Sequence, residues 1–484
     1  MQLSQPELLQ NKSFINNNWI SAHSEKTFEV TNPAKGNVIT TVADCGARET
    51  ETAIEAATKA FALWSKKTAK ERSAIMRKWF KLVNDNIDDL ALLMTTEQGK
   101  PIAEAKGEII YGASFIEWFA EEARRIYGDV IPTPLGNRRI ITLKQPVGVI
   151  AAVTPWNFPV SMITRKISPA IAAGCTVVLK PAAQTPLSAL ALAYLSKEAG
   201  FPDGVINIIT SDNASEIGKV MTEHPLVQKF SFTGSTRVGK MLMQQCASTV
   251  KKVSLELGGN APLIVFDDAD IAQAVKGALA SKYRNAGQTC VCANRIYVQD
   301  KIYDAFMEEY KRAVSSLKVG DGTEPGVEIG PLIDENAVGK INRLVHDAVE
   351  KGAEIIVGGD SHKAGKLFYQ PSIVEGCVKE MAISKEEIFG PVSALYKFHT
   401  EEEAIQLAND TEYGLAAYFF TQNLNRAWRV AEALDYGIVG INEGVVSHAE
   451  APFGGMKESG IGREGSKYGI EEYVEVKYMC LGGM

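Results

Sequence analysis

No apolar run in this 484-residue chain is long enough to cross a bilayer: the longest candidate, 167–179, is broken by Ser168, Pro169 and Thr176, short of the roughly 18 residues that a spanning helix needs. A basic surplus is also missing. With 51 Lys plus Arg against 58 Asp plus Glu the formal net charge is −7, whereas a nucleic-acid binder needs a basic face for phosphate contacts. The seven cysteines (Cys45, Cys175, Cys246, Cys290, Cys292, Cys377, Cys480) are odd in number and thinly spread, which suits free thiols in a reducing compartment rather than a disulfide framework. Cys290 and Cys292 have a single residue between them, and the six histidines are scattered, so metal-ligand spacing is absent and no metal is expected. The first 14 residues lack both the basic start and the apolar core of a secretory signal and are not an Arg-rich transit peptide, so a cytoplasmic location is expected.

What is present is ordinary globular composition, 45 % hydrophobic and 23 % charged, which excludes a disordered or coiled-coil chain. At about 150 residues per domain the length suggests two or three domains. Helical periodicity opens the chain, with Ile54, Ala57, Phe61 and Trp64 on one face and Ile75, Trp79, Val83, Ile87 and Leu90 on the next. Short β-branched runs then alternate with helical ones: strands are expected at 147–153, 176–179, 205–209, 229–232 and 253–257, with helices at 162–172, 187–199, 214–222 and 237–247. That alternation implies right-handed crossovers and a parallel, nucleotide-binding type of sheet. A second series at 262–266, 295–298, 355–357 and 438–441 predicts another α/β domain meeting the first near 258–260. The strand-like end of the chain has a candidate partner in 139–144, in this subunit or another.

Several residues are chemically suggestive. Phe232-Thr-Gly-Ser-Thr-Arg-Val-Gly239 follows a strand and opens a helix, but its glycines do not have the spacing of the dinucleotide fingerprint. Gly234 and Ser235 suit either a diphosphate cradle or a plain strand-to-helix turn. Cys290 lies in the polar, glycine-containing stretch Asn285-Ala-Gly-Gln-Thr-Cys-Val-Cys292, a poor place to bury an inert thiol. It needs nearby amides or a base to act as a thiolate. Glu256 ends a strand before Leu257-Gly-Gly259 and is placed to accept a proton from thiol or water. Asn157, in Thr154-Pro-Trp-Asn-Phe-Pro159, offers an amide donor for an oxyanion. Singly, each also fits a structural role.

Taken in order, the Thr154–Pro159 and Phe232–Thr236 stretches, Lys180-Pro-Ala-Ala-Gln-Thr-Pro186, Leu255-Glu-Leu-Gly-Gly259, Gly287-Gln-Thr-Cys290, Glu387-Ile-Phe-Gly-Pro391 and Pro452-Phe-Gly-Gly455 resemble the aldehyde dehydrogenase superfamily over nearly the whole chain. Phe115-Ile-Glu-Trp-Phe-Ala-Glu-Glu122, the 282–295 stretch and Gly462-Arg-Glu-Gly-Ser-Lys-Tyr-Gly469 are most similar to its succinate-semialdehyde dehydrogenase branch. The resemblance implies an α/β architecture with a Rossmann-type cofactor domain (1–127 and 146–258), an α/β catalytic domain (259–458) and a small β oligomerisation arm (128–145 and 459–484). It implies that Cys290 attacks the aldehyde, that its backbone amide and Asn157 hold the oxyanion, and that Glu256 activates the water that hydrolyses the thioester. A phosphorylating or CoA-acylating relative would not need that carboxylate.

By the same resemblance Trp156, Lys180, Ala183, Gly234, Ser235, Glu387 and Phe389 line the cofactor site. Where many NAD-preferring members carry a glutamate, three residues after Lys180, this chain has Ala183, which leaves space for a 2′-phosphate beside a lysine. NADP is therefore expected to be preferred, with NAD also used. Arg165, Arg284 and Ser447 match the residues that grip the distal carboxylate in succinate-semialdehyde dehydrogenases, although each arginine alone reads by default as a solvated or salt-bridged surface group. Cys292 suggests a regulatory disulfide with Cys290, or a packed small hydrophobe. Alternatives are a dehydrogenase for glutaric or another short semialdehyde, a cofactor-free cysteine hydrolase and a catalytically retired homologue. Expected partners are the small aldehyde and further copies of the chain, as a dimer or tetramer exchanging the arm between subunits, without nucleic acid or membrane.

Overall fold

Strands of a sheet covered by helices on both faces are apolar along their whole length. In the computed structural model, which describes residues 1–483, the central strands of the first half follow that rule. Ile206–Ile208, Thr176–Lys180, Val149–Val153, Val227–Thr233 and Lys252–Glu256 lie parallel, in that order, within an eight-stranded sheet. From Val149–Val153 the chain first builds outward through Thr176–Lys180 to Ile206–Ile208. It then returns to place Val227–Thr233 on the opposite side of the starting strand. The direction of winding thus reverses between Val149–Val153 and Val227–Thr233, and a crevice opens beyond the carboxyl ends of strands at such a reversal.

The crossover helices Ser161–Ala173, Pro186–Ala199, Ala214–Glu223 and Thr236–Cys246 fall where periodicity predicts them. Every residue of Ser161–Ala173 is buried, including Arg165 and Lys166, and the helix stops at Gly174, whose φ of 105° only glycine adopts without strain. The amphipathic amino-terminal helices pack on this layer: the indole N–H groups of Trp64 and Trp79 donate to the carbonyls of Ile171 (3.1 Å) and Leu192 (3.2 Å).

At 257–260 the chain leaves the first sheet and enters a second, seven-stranded one, ordered Glu354–Val357, Ser372–Glu375, Val392–Phe398, Ala293–Gln299, Ala261–Val265, Ala416–Phe420, Ile438–Ile441. Only Glu354–Val357 is antiparallel to its neighbour. Ser372–Glu375, Val392–Phe398 and Ala416–Phe420 lie outside the four strands expected in this half, as does the hairpin of Ser13–Ile15 and Asn18–Ile20 on the first sheet. The carboxyl-terminal strand Val474–Gly482 pairs antiparallel with Arg138–Pro146 of the same chain, and Val130–Ile131 adds a third strand. Gly460–Ile461, expected in this arm, instead extends the edge of the first sheet beside Lys252–Glu256. The chain is therefore α/β, with a Rossmann-type parallel sheet, a second α/β sheet and a small β arm. Among the described residues no helix is long and apolar enough to cross a membrane.

Arg295 anchors the second half. Its guanidinium is buried and donates to the carbonyls of Asn260, Leu407 and Ala408 and to the hydroxyls of Tyr297 and Tyr436. Leu407 and Ala408 close the last turn of Glu401–Asn409, where carbonyls lack helical partners and a cation is favoured. Arg295→Met should lower the free energy of unfolding by about 3 kcal/mol in a urea titration, because the carbonyls stay buried without donors. A midpoint equal to the parent's would contradict this role.

Candidate active site

A cavity of 270 Å³ lies at the reversal of the first sheet. Pro155, Trp156 and Asn157 reach it from the turn after Val149–Val153, Thr233 to Ser235 from the turn after Val227–Thr233, and Leu257 and Gly258 from the crossing between the sheets. Cys290, Glu387 and Phe389 close it from the second half. Seven of the residues singled out in the sequence, Trp156, Asn157, Gly234, Ser235, Cys290, Glu387 and Phe389, thus share one cavity. Ala337 and Lys340, on the helix Glu335–Glu350, also line it, and nothing in their sequence neighbourhood signals that.

The cavity suits a dinucleotide. Ser235 precedes the helix Thr236–Cys246 without capping it by its side chain, which leaves first-turn amides for an anion. A Cβ at Gly234 would come within 2.4 Å of the Phe232 ring. One oxygen of Glu387 accepts from the Gly259 N–H (3.2 Å), leaving the other as an acceptor for sugar hydroxyls. Burial pushes the Glu387 carboxyl up to about 7, against the pull of Lys340 and the Gly259 N–H. The rings of Trp156 and Phe389 meet edge to face at 5.6 Å. Lys180 and Ala183 lie apart from this cavity. The Lys180 amine is buried, donates to the Pro181 carbonyl (3.1 Å) and is lowered to about 8 by burial, opposed by Asp212 and Asp44. Ala183 lines a separate 200 Å³ hollow with Gln184, Asp212 and Glu97.

Cys290 is partly open to the cavity. Burial pushes its thiol up to about 12; Arg165 and Arg284 pull it down, while Glu387 and Glu256 push it up. Its carbonyl lies so close to Gly259 that a Cβ there would sit at 2.5 Å, so the Cys290 loop and the sheet crossing are in direct contact. The Asn157 side chain donates one amide hydrogen to the Gln288 carbonyl (2.9 Å), an orientation that the carbonyl itself requires. Its second hydrogen remains, and its oxygen is buried without a partner. The Cys290 N–H has no acceptor among the described residues.

Glu256 is buried at the end of its strand, with one carboxylate oxygen unpartnered. Burial first, and the Glu464 carboxylate second, hold its carboxyl well above the usual range, against Arg165 and Lys166. Glu464 and Lys166 were not anticipated, although Glu464 stands inside the 462–469 stretch that carries the resemblance. Lys166 donates to Glu464 (2.6 Å) and Ser231 (3.2 Å), and the Arg165 Nε touches the other Glu464 oxygen. Burial opposes the Arg165 charge, but Glu464, together with Tyr111, Glu256 and Cys290, more than restores it.

Arg165 is thus salt-bridged, as the default reading has it, but buried rather than on the surface, and part of its charge is already matched. Its guanidinium lies 4.1 Å over the Phe453 ring, and its Nη2 is buried without a partner. The Arg284 guanidinium lies 5.4 Å from the Phe158 ring centre, also with a buried unpartnered nitrogen, Nε. The hydroxyl of Tyr111 is buried and makes no well-formed hydrogen bond, but it lies within reach of the Arg165 guanidinium; burial raises its pKa, and the charge and contact of Arg165 and the charge of Arg284 lower it. Tyr111, one helical turn before Phe115 and in edge contact with it at 4.9 Å, was missed, and the aromatic i, i+4 pair was its only signal. Ser447 is half-buried in the irregular stretch 442–455 and hydrogen-bonds to neither arginine. Cys292 is buried, and its thiol faces the carbonyls of Lys282 (3.5 Å) and Ala293 (3.6 Å). Among the described residues no cluster of His, Cys, Asp or Glu has metal-binding geometry.

Comparison with known proteins agrees in length and in fold. The Aldehyde dehydrogenase family model matches residues 19–479. The chain is 58 % identical over 482 residues to the succinate-semialdehyde dehydrogenase [NADP(+)] GabD of Escherichia coli, covering 100 % of both. It is 58 % identical to a glutarate-semialdehyde dehydrogenase of Pseudomonas putida, covering 99 % of this chain and 100 % of that one, and 56 % identical to a 3-sulfolactaldehyde dehydrogenase of Pseudomonas putida, covering 100 % and 99 %. A crystal structure described as an E. coli NADP dependent enzyme superposes with a TM-score of 0.99 at 58 % identity, covering 99 % of this chain and 100 % of that chain. With a thiol at the winding reversal of a dinucleotide-type sheet and a family match from end to end, the chain belongs to the aldehyde dehydrogenase family of oxidoreductases.

Proposed function

We propose that the chain oxidises succinic semialdehyde to succinate, with NADP preferred over NAD, by covalent catalysis at Cys290. The observation that carries the substrate is a buried group of donors near the thiol: Arg165 Nη2 and Arg284 Nε, which have no partner, and the Tyr111 hydroxyl beside Arg165. Buried donors without acceptors are costly unless a ligand satisfies them, and a carboxylate answers guanidinium and phenol together. Ser447 is the fourth candidate for this grip.

The chemistry follows from the two raised acids. A thiol near 12 does not ionise unaided at neutral pH, so Cys290 attacks as its proton passes to a base. Glu256, held above the usual carboxyl range, is better matched to that task than an ordinary carboxylate. As the Cys290 sulfur bonds to the aldehyde carbon, the free Asn157 amide hydrogen and the Cys290 N–H take the oxyanion. A nicotinamide dinucleotide bound along Trp156, Gly234, Ser235, Glu387 and Phe389 supplies the acceptor for the hydride whose loss leaves a thioester. Once Glu256 has passed the thiol proton to solvent, it takes a proton from water as the water oxygen attacks the thioester carbon; the C–S bond breaks with its electrons on sulfur, and the proton moves from Glu256 to the sulfur. The product is the free acid.

A second reading, glutaric or another short semialdehyde with an anionic tail, is favoured by relatives of nearly equal identity with such substrates. One methylene changes binding by only about 1 kcal/mol, so the same cations accept it. A homo-oligomer is supported by the exposed apolar residues of the arm, Val130, Val476 and Tyr478.

Three measurements test these assignments. Arg284→Ala should raise KM for succinic semialdehyde at least about tenfold more than for butanal, the loss of a charge-assisted pair. Equal losses for both aldehydes would remove Arg284 from the tail site. Ala183→Glu should cut kcat/KM for NADP by about tenfold or more while sparing NAD, through like-charge repulsion of the 2′-phosphate. An unchanged ratio, or a parent enzyme that favours NAD, would refute the cofactor assignment. If Cys292 closes a disulfide on Cys290, peroxide inactivation of the parent is reversed by thiol and that of Cys292→Ala is not. Identical recovery in both would end the redox reading.

A further inference from the structure

Behind the cavity, away from substrate and cofactor, buried residues of the amino-terminal helices fasten together the two loops that carry the oxyanion donors. The Asn157 backbone carbonyl accepts two hydrogen bonds, from the Lys100 ammonium (2.9 Å) and from the Asn285 side-chain amide (3.0 Å). Lys100 is 2 % exposed, lies 3.9 Å from the centre of the Phe158 ring and pairs with Glu108. The other oxygen of Glu108 accepts from the N–H groups of Val160 (2.9 Å) and Ser161 (3.2 Å), at the start of the helix that follows Asn157. One cation–carboxylate pair thus holds both sides of the Asn157 turn.

Asn285 does the same for the nucleophile loop. Its N–H donates to Glu104 (2.8 Å), and its side-chain oxygen accepts from Gln98 (3.0 Å). Asn285 and Ala286 have φ of 52° and 54°, a conformation costing roughly 1 kcal/mol or more in a non-glycine residue. At Gly287 a Cβ would meet the Gly390 carbonyl at 2.1 Å. Such a turn persists only where its surroundings hold it, and here it lies five residues or fewer before Cys290. None of Gln98, Lys100, Glu104 or Asn285 lines the cavity.

We propose that Lys100 and Asn285 are positioning residues of the oxyanion site: they meet on the Asn157 carbonyl and lock the amide donor of the first half to the Cys290 N–H of the second. The inference rests on the reading that Cys290 attacks a carbonyl and that Asn157 and the Cys290 N–H take the resulting charge. Oxyanion stabilisation depends on donors fixed to within a few tenths of an ångström before reaction, so loosening the lock slows carbonyl chemistry while leaving the thiol intact.

The test separates reactions that form an oxyanion at Cys290 from one that does not. Asn285→Gly keeps the left-handed backbone open while removing the side chain, and Lys100→Met removes the donor but keeps the length. Lys100→Arg is the conservative variant. Each full-length protein is assayed for oxidation of succinic semialdehyde and of butanal, for p-nitrophenyl acetate hydrolysis and for alkylation of Cys290 by iodoacetamide, a displacement without an oxyanion. In Asn285→Gly and Lys100→Met, kcat for both aldehydes and for the ester should fall about tenfold or more, with KM within about threefold and the alkylation rate within about twofold. Lys100→Arg should recover part of the loss. Unchanged turnover in both variants would overturn the proposal, as would alkylation falling in step with ester hydrolysis or a loss confined to the charged aldehyde. Cys290→Ala keeps the two readings apart: oxidation surviving in it overturns the catalytic reading itself. Abolished oxidation there, with Asn285→Gly and Lys100→Met as fast as the parent, overturns only the positioning role.

Discussion

Taking a charge out of water costs several kcal/mol unless an opposite charge accompanies it. The floor of the cleft holds four ionisable groups close together: Arg165 and Lys166 on the central helix, Glu464 on the returning terminal segment, and Glu256 at a strand end. Glu464 touches both cations, so it takes most of their attraction and is held below the usual carboxyl range. Glu256, which shares those cations without contacting them, is left with the desolvation cost and the repulsion of Glu464. The same ion cluster that ties residue 464 to the helix 161–173 therefore creates a carboxyl suited to proton transfer. It leaves the Arg165 Nη2 unpartnered, so under the proposed function a substrate anion would be shared between a partly neutralised arginine and Arg284.

The cleft itself follows from topology. Both sheets are wound outward from a starting strand and then back on its other side, and the chain passes between them in the short stretch after Glu256. A small residue is required at Gly259, which lets the Cys290 carbonyl approach closer than a side chain would permit, while the Gly258 carbonyl accepts a hydrogen bond from Ser459. Glu256, the crossing and the close approach of Cys290 are thus brought together by one passage of backbone. Glu387 reads the same passage from the other side by accepting the Gly259 N–H.

Local patterns made the parallel strands and crossover helices of the first half legible, because a strand buried on both faces is a continuous apolar run and each helix has its own amphipathic period. The strands Val392–Phe398 and Ala416–Phe420 are as apolar, yet they stand among segments where strand and helix periodicity cannot be told apart. Residues lining the cavity were found where they sat in glycine- or proline-bounded turns, as with Asn157 and Ser235. Lys166 and Glu464 are separated by 298 positions, and Lys100 and Asn157 by 57, so their pairing is a property of the folded chain alone. The left-handed turn at Asn285 is invisible for a different reason: asparagine tolerates that conformation but does not announce it.

An overall charge of −7 would repel an anionic aldehyde and an anionic cofactor alike, but charge acts through distance and dielectric, not through the total. Most of the acidic surplus is on the surface, where water and salt screen it, whereas Arg165, Lys166 and Arg284 stand where screening is weakest. Their field reaches the thiol, since both arginines pull the Cys290 proton off while Glu256 and Glu387 hold it on. Under the proposed function, an anionic tail bound there would neutralise part of the cationic side of that balance and make thiolate harder to form. Release of the thiol proton to a base during attack avoids that penalty, because the sulfur then never carries a full charge beside the substrate carboxylate. The anionic tail and a general base are in this sense linked requirements of one small, poorly solvated site.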